Sequence, residues 1–230
     1  MPPLCALQEV NRDDPRNQMP ATAQQLPWPG QKALLSTERI SSTIPKGGTD
    51  GTWTYPSPQM FYNALARKQK ADDVEENDVD AVVQVHNAIN EASWAKLLEW
   101  EMRHCQGEGS SCPSGPKLSR FYGKEDQLSP KARIMHYVFG KQLPFDRHDW
   151  IIDLCGKEVR YVIDYYYTEP KPGEDSQTTD QSSVLAQFEI DVRPALDSFE
   201  ALTDRIMMSL IKLVGGAPMQ QKVDIPSPKA

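Results

Sequence analysis

The stretch "DWIIDLCGKEVRYVIDYYY", residues 149–167, constrains this chain more than any other segment. Val159, Tyr161, Ile163 and Tyr165 alternate with Arg160, Val162, Asp164 and Tyr166. That period of two sends successive side chains to opposite faces of a strand. Gly156 interrupts the alternation where a turn fits, so the segment reads as two strands of an antiparallel hairpin. A hairpin alone is marginal in water and needs further strands and a covering layer. "SSVLAQFEIDVRP" supplies another strand through Val184, Ala186, Phe188, Ile190 and Val192, after a polar loop at about 168–182.

The rest of the chain follows a helical period. In "DSFEALTDRIMMSLIKLVGG", Phe199, Leu202, Ile206, Leu210 and Leu213 line one face. Asp197 and Glu200 form a capping-box pair, and Gly215-Gly216 is the stop. Ahead of the hairpin, Ser57 is a good N-cap with Pro58 as first helical residue, and Met60, Phe61, Ala64 and Leu65 give a buried stripe. "ADDVEEND" reads as an acidic, solvated connector. The next helix starts near Asn77 or Asp78 and either runs to Met102 or breaks at Asn90. "HCQGEGSSCPSGPK" is loop, and "SPKARIMHYVFG" repeats the Ser-Pro start and closes on Gly140.

The fold class is therefore α+β by segregation: an N-terminal helical part, a small antiparallel sheet and a closing amphipathic C-terminal helix. Residues 1–50, rich in Pro, Gln, Ser and Thr without apolar period, read as an extended or disordered arm. Residues 51–214 read as a single domain, helical over 51–140, with sheet and closing helix over 141–214, and 215–230 as a loose tail.

A net charge of −7 argues against nucleic-acid binding, which needs basic surface. No uncharged apolar run approaches the roughly 18 residues of a membrane span, so membrane contact is expected to be peripheral. The start resembles neither a secretory signal nor a cleavable presequence, so organelle import would need an internal signal. Four cysteines (Cys5, Cys105, Cys112, Cys155) are too sparse for a disulfide scaffold. His104, Cys105 and Cys112 lack a fourth zinc ligand at usual spacing.

Phosphate-cradling glycine loops, GxSxG elbows and HExxH are absent. Histidine, acid and aromatic residues instead concentrate in two places. In "VQVHNAINEASW", His86 stands on an apolar helix stripe with Asn87, Asn90 and Glu91 close behind. Such a histidine is either a core side chain bonded to a carbonyl or a metal ligand facing an apolar cleft. In "LPFDRHDW", His148 is bracketed by Asp146, Arg147 and Asp149. It is either a site residue held in one tautomer by a carboxylate, or a structural one. Cys112-Pro113 puts a thiol on an extended segment, as a transient haem ligand or as an ordinary loop cysteine.

Taken in order, "WTYPSPQMFYNA" (53–64), "VHNAINEASWAKLLEWE" (85–101), "CPSGPKLSRF" (112–121), "LPFDRHDWIIDLCGKEVRYVIDYY" (143–166) and "DVRPALDSFEALTDR" (191–205) resemble the holocytochrome c synthase, or cytochrome c haem lyase, family. The resemblance implies a lyase that binds haem b and a c-type apocytochrome. It joins the haem vinyl groups to the cysteines of the apocytochrome's CxxCH. It implies His86 as axial iron ligand, Glu91 as a second catalytic residue orienting ligand or peptide, and haem contacts from Trp53, Asn87, His148 and Cys112. It also implies a place in the mitochondrial intermembrane space, peripheral on the inner membrane. The chain itself has no CxxCH, so the haem is expected to be held and handed on.

Overall fold

The computed structural model describes residues 13–14, 16, 19–20, 25–104, 112–168, 185–197 and 199–213. Cys105, most of the foreseen polar loop and the tail lie outside the described residues. Three antiparallel sheets are present among them. β1 (Asp13–Asp14) pairs with β2 (Met19–Pro20), and β3 (Ser41–Pro45) pairs with β4 (Thr52–Thr54). The main sheet has the order β5-β6-β7-β8, from β5 (Lys117–Gly123), β6 (Asp146–Leu154), β7 (Lys157–Tyr167) and β8 (Phe188–Pro194). The helices are α1 (Pro58–Arg67), α2 (Val79–His104), α3 (Pro130–Phe139) and α4 (Phe199–Leu213). The mixed α+β class read from the two periods holds.

The hairpin forms as expected, with Leu154 opposite Lys157 and the turn at Cys155 and Gly156, both at positive φ. Alternation sets the two faces of the sheet. Tyr161, Ile163 and Tyr165 face α2 together with Trp150 and Ile152 of β6 and Ile190 and Val192 of β8, and all seven are buried. The opposite face carries buried charge. Asp149 accepts from Lys124, Arg147 and Arg160, while Asp164 accepts from Arg193 and from Ser129 Oγ. Ser129 also caps α3 through the Ala132 N–H, so the cap of one helix is tied to the sheet's ion pair.

α2 is one unbroken helix, running antiparallel to β7. Tyr161 OH donates to Glu101, and Ser93 Oγ lies 3.2 Å from Tyr165 OH. Lys96 Nζ and the Trp100 indole N–H donate to the Ile190 and Val192 carbonyls at 3.0 and 2.8 Å, which fixes the helix against β8 as well.

Several expectations are corrected. Residues 25–50 are built into the fold: Leu35, Ser42 and Ile44 are buried and β3 belongs to this stretch. The stretch has no apolar period because single anchors and polar contacts hold it. The Glu76 carboxylate accepts the Lys32 N–H at 2.8 Å and the Tyr62 hydroxyl at 3.1 Å, so the acidic connector is not simply solvated. On α1 the buried residues are Pro58, Gln59, Tyr62 and Asn63, not Met60, Phe61, Ala64 and Leu65. The amides face inward because Gln59 bonds Gln31 and Asn63 bonds the Leu26 carbonyl. On α4, Leu202, Ile206 and Leu210 are exposed, whereas Ala201 and Met208 are buried. Arg205 binds the Pro194 carbonyl at 2.8 Å and seats that other face on β8, and Asp197 pairs with Arg160. The Glu200 side chain lies outside the described residues.

Candidate functional site

At the 146 end of β6 the sheet's apolar face changes character. Trp150 and Ile152 give way to His148 and Asp146 on the same face, paired with Ile163 and Tyr165. Phe145 lies just before the strand, where its N–H donates to the Tyr165 carbonyl at 2.9 Å. Its ring stacks on Tyr167 at 4.2 Å and meets Phe188 at 5.8 Å. Phe145 and Tyr167 are 40% and 54% exposed, so this is an aromatic patch open to solvent. β5 ends opposite His148 with Gly123, which brings no side chain to that point.

Because α2 runs antiparallel to β7, the turns before Ser93 carry the helix past Tyr165 towards the same end. His86 is on that part of α2. Its ring lies 5.9 Å from Phe61 of α1, and the Asn90 amide nitrogen lies 3.2 Å from its Nδ1. His86 is exposed by surface area, yet protein crowds the ring enough that burial pushes its imidazole down to about 4. An open face beside dense protein accounts for both observations. The charge of His148 adds to the shift and that of Asp146 opposes it, so these three groups share one electrostatic neighbourhood. The crowding of the ring by protein therefore favours the neutral imidazole.

His148 Nε2 bonds Asp146 Oδ2 at 3.1 Å, and its ring meets Tyr165 edge-on at 5.3 Å. Burial works to raise the Asp146 carboxyl, but the bond and charge of His148 hold it below its usual range. His148 Nδ1 is buried without a hydrogen-bond partner among the described residues. A carboxylate on one ring nitrogen sets the tautomer that the other presents.

The remaining residues singled out in the sequence are held in other contacts. Glu91 is buried and its carboxylate accepts from Ser42 Oγ (2.6 Å), Thr43 N (3.1 Å), Tyr55 OH (2.8 Å) and Thr43 Oγ1. It fastens the β3–β4 unit to α2, with its oxygens engaged. Asn87 is buried, and its carbonyl accepts from Tyr55 OH at 3.4 Å on the same side. Trp53 is a core residue: its indole N–H donates to the Leu118 carbonyl at 2.9 Å and its ring meets Phe121 edge-on. Cys112 is joined to Cys155 in a disulfide at the β6–β7 turn. That turn is separated from His148 by most of β6, roughly 20 Å of extended chain. Cys112 thus has no free thiolate in this structure and does not stand with the two histidines. The residues that sequence reasoning missed, Phe61, Phe145, Tyr167 and Phe188, carried one weak signal: "DYYY" places Tyr165 and Tyr167 on one strand face.

Comparison with known proteins adds the family. The sequence model described as cytochrome c/c1 heme lyase matches residues 6–209. Holocytochrome c-type synthase of Gallus gallus is 47% identical over 206 residues, covering 87% of this chain and 69% of the relative. Holocytochrome-c synthase of Saccharomyces cerevisiae is 40% identical over 228 residues, covering 90% and 79%. A putative holocytochrome-c1 synthase of Schizosaccharomyces pombe is 47% identical over 139 residues, covering 58% and 61%. No solved structure matches.

Proposed function

Since the chain belongs to the cytochrome c/c1 heme lyase family, a family of enzymes whose substrates are haem and an apocytochrome, we propose that it holds haem b by His86 and joins it to the cysteines of a c-type apocytochrome. The observation that carries the reading is the convergence of a neutral, accessible His86 with the His148–Asp146 pair beside an open aromatic patch. Flat apolar ligands are held by such surfaces, with few polar groups to orient them.

In this reading His86 supplies one axial nitrogen to the haem iron, and the histidine of the apocytochrome's CxxCH supplies the other. That second bond brings both cysteines beside the vinyl groups. Each S–H adds across a C=C, sulfur to one carbon and hydrogen to the other, so nothing is oxidised. The protein's contribution is holding the partners in near-attack geometry. The bonds to sulfur distort the macrocycle, weaken the His86 bond and release the product. Phe61, Phe145 and Tyr167 shield the macrocycle, and His148 with Asp146 orients it. Glu91 acts as a positioning residue, because its carboxylate holds the helix that carries His86. The reaction takes place in the mitochondrial intermembrane space, with the protein on the inner-membrane surface. Among the described residues no helix is long and apolar enough to cross a membrane.

Co-expression with an apocytochrome bearing CxxCH tests the reading. Wild type yields haem that survives acid-acetone extraction, and His86→Ala loses both copurified haem and the attached product. Near-normal haem and product in His86→Ala would refute it, and haem that remains extractable with wild type would indicate a carrier instead.

A further inference from the structure

Asn90 has no role in the scheme above, yet it makes the one side-chain hydrogen bond to His86 among the described residues. It sits four residues after His86 on α2, where side chains of one helix face meet, and its side-chain nitrogen is placed 3.2 Å from His86 Nδ1, a position that a half-turn of the amide gives to the oxygen. It is half-buried, and its contact with His86 lies on an exposed part of the helix.

An amide offers two faces, an NH2 that donates and a carbonyl that accepts. With the NH2 towards the ring, Nδ1 accepts, the single proton of neutral imidazole sits on Nε2, and Nε2 has no lone pair for a metal. A half-turn of the amide presents the carbonyl. Nδ1–H then donates, and Nε2 keeps its lone pair. Only in the second arrangement does Nε2 keep the lone pair that a ligand bond needs. Partners on the far ring nitrogen fix the ring's orientation and set how strongly the near nitrogen binds.

We propose that Asn90 is the positioning residue of the His86 site: its side-chain carbonyl accepts Nδ1–H, selects the tautomer that binds iron through Nε2, and sets a grip weak enough for haem to be released. The inference rests on the reading of His86 as axial ligand. The choice of amide over carboxylate is part of it. A carboxylate would draw the Nδ1 proton away and make Nε2 a stronger base, which suits a resident haem but not one that must leave with the product.

The test measures haem binding and release by the purified protein for wild type, Asn90→Ala and Asn90→Asp, with thermal melting to confirm the fold. Haem release to an excess of apoglobin is followed from the Soret band. Asn90→Ala, a helix-favouring change, accelerates release by about 10- to 100-fold. Asn90→Asp slows release several-fold below wild type and shifts the iron's midpoint potential negative. A packing role for Asn90 would move both variants in the same direction, and that outcome overturns the proposal, as does wild-type release in Asn90→Ala. His86→Ala is measured alongside. If it holds haem as tightly as wild type, the ligand reading itself fails; if it loses haem while Asn90→Ala does not change, only the role of Asn90 fails.

Discussion

Burial pushes the His86 imidazole down to about 4, against 6.5 for the ordinary side chain, with His148 adding to the shift and Asp146 opposing it. The unfolded chain takes up this proton near 6.5, the folded one only near 4. The neutral ring therefore costs nothing above pH 6.5, and stability falls as pH drops from 6.5 towards 4, where the unfolded state binds the extra proton. An NMR titration of the His86 ring in the haem-free protein should give a midpoint clearly below 6.5, and wild type should lose stability relative to His86→Gln as pH falls through the same window. A midpoint near 6.5 would show that the ring is fully solvated. The sense of the shift suits a ligand: an imidazole that resists protonation keeps its lone pair across the physiological range.

One helix, α2, serves two purposes through residues almost adjacent in sequence. His86 and Asn90 face the open end, whereas Asn87, Glu91, Trp94 and Leu97 are buried. Glu91 is the strongest fastening, with donors from Ser42, Thr43 and Tyr55 converging on one carboxylate. Glu91→Ala would leave those donors buried without an acceptor and should cost about 3 kcal/mol of stability. The loss should appear in urea unfolding and as faster amide exchange over residues 41–54. His86→Ala, on the accessible face, should change stability by less than about 1 kcal/mol while abolishing haem binding. Equal stabilities for the two variants would contradict this division. The break at Asn90 that the sequence left open does not occur, because Ser93, Trp94 and Leu97 continue the packing on the sheet without a change of face.

Across the molecule, the sheet separates the candidate site at the start of β6 from the Cys112–Cys155 disulfide at its end. The two cysteines are 43 residues apart, and a loop of that length constrains the unfolded chain by roughly 4 kcal/mol in the chain-entropy account. Cys112→Ser should therefore lower the unfolding midpoint while leaving haem affinity unchanged; a folded Cys112→Ser protein that loses haem would return Cys112 to the site. Much of this architecture was legible in the chain. The hairpin at Gly156, the Ser-Pro helix starts at Ser57 and Ser129, and the Gly140 stop follow from local backbone chemistry, which a sequence spells out residue by residue. β3, β4 and β5 were not legible, because short strands with one or two buried residues leave no period to read. Nor was the inner face of α4, where a helix with apolar residues on two sides can seat either. His86 and His148 could each be marked as candidates from their neighbours in sequence. That they share one electrostatic neighbourhood depends on the antiparallel crossing of α2 over β7, set by contacts such as Ser93 with Tyr165 and Tyr161 with Glu101. Such contacts join residues far apart in the chain, so no local pattern encodes them, and packing alone brings the two imidazoles to one end of the sheet.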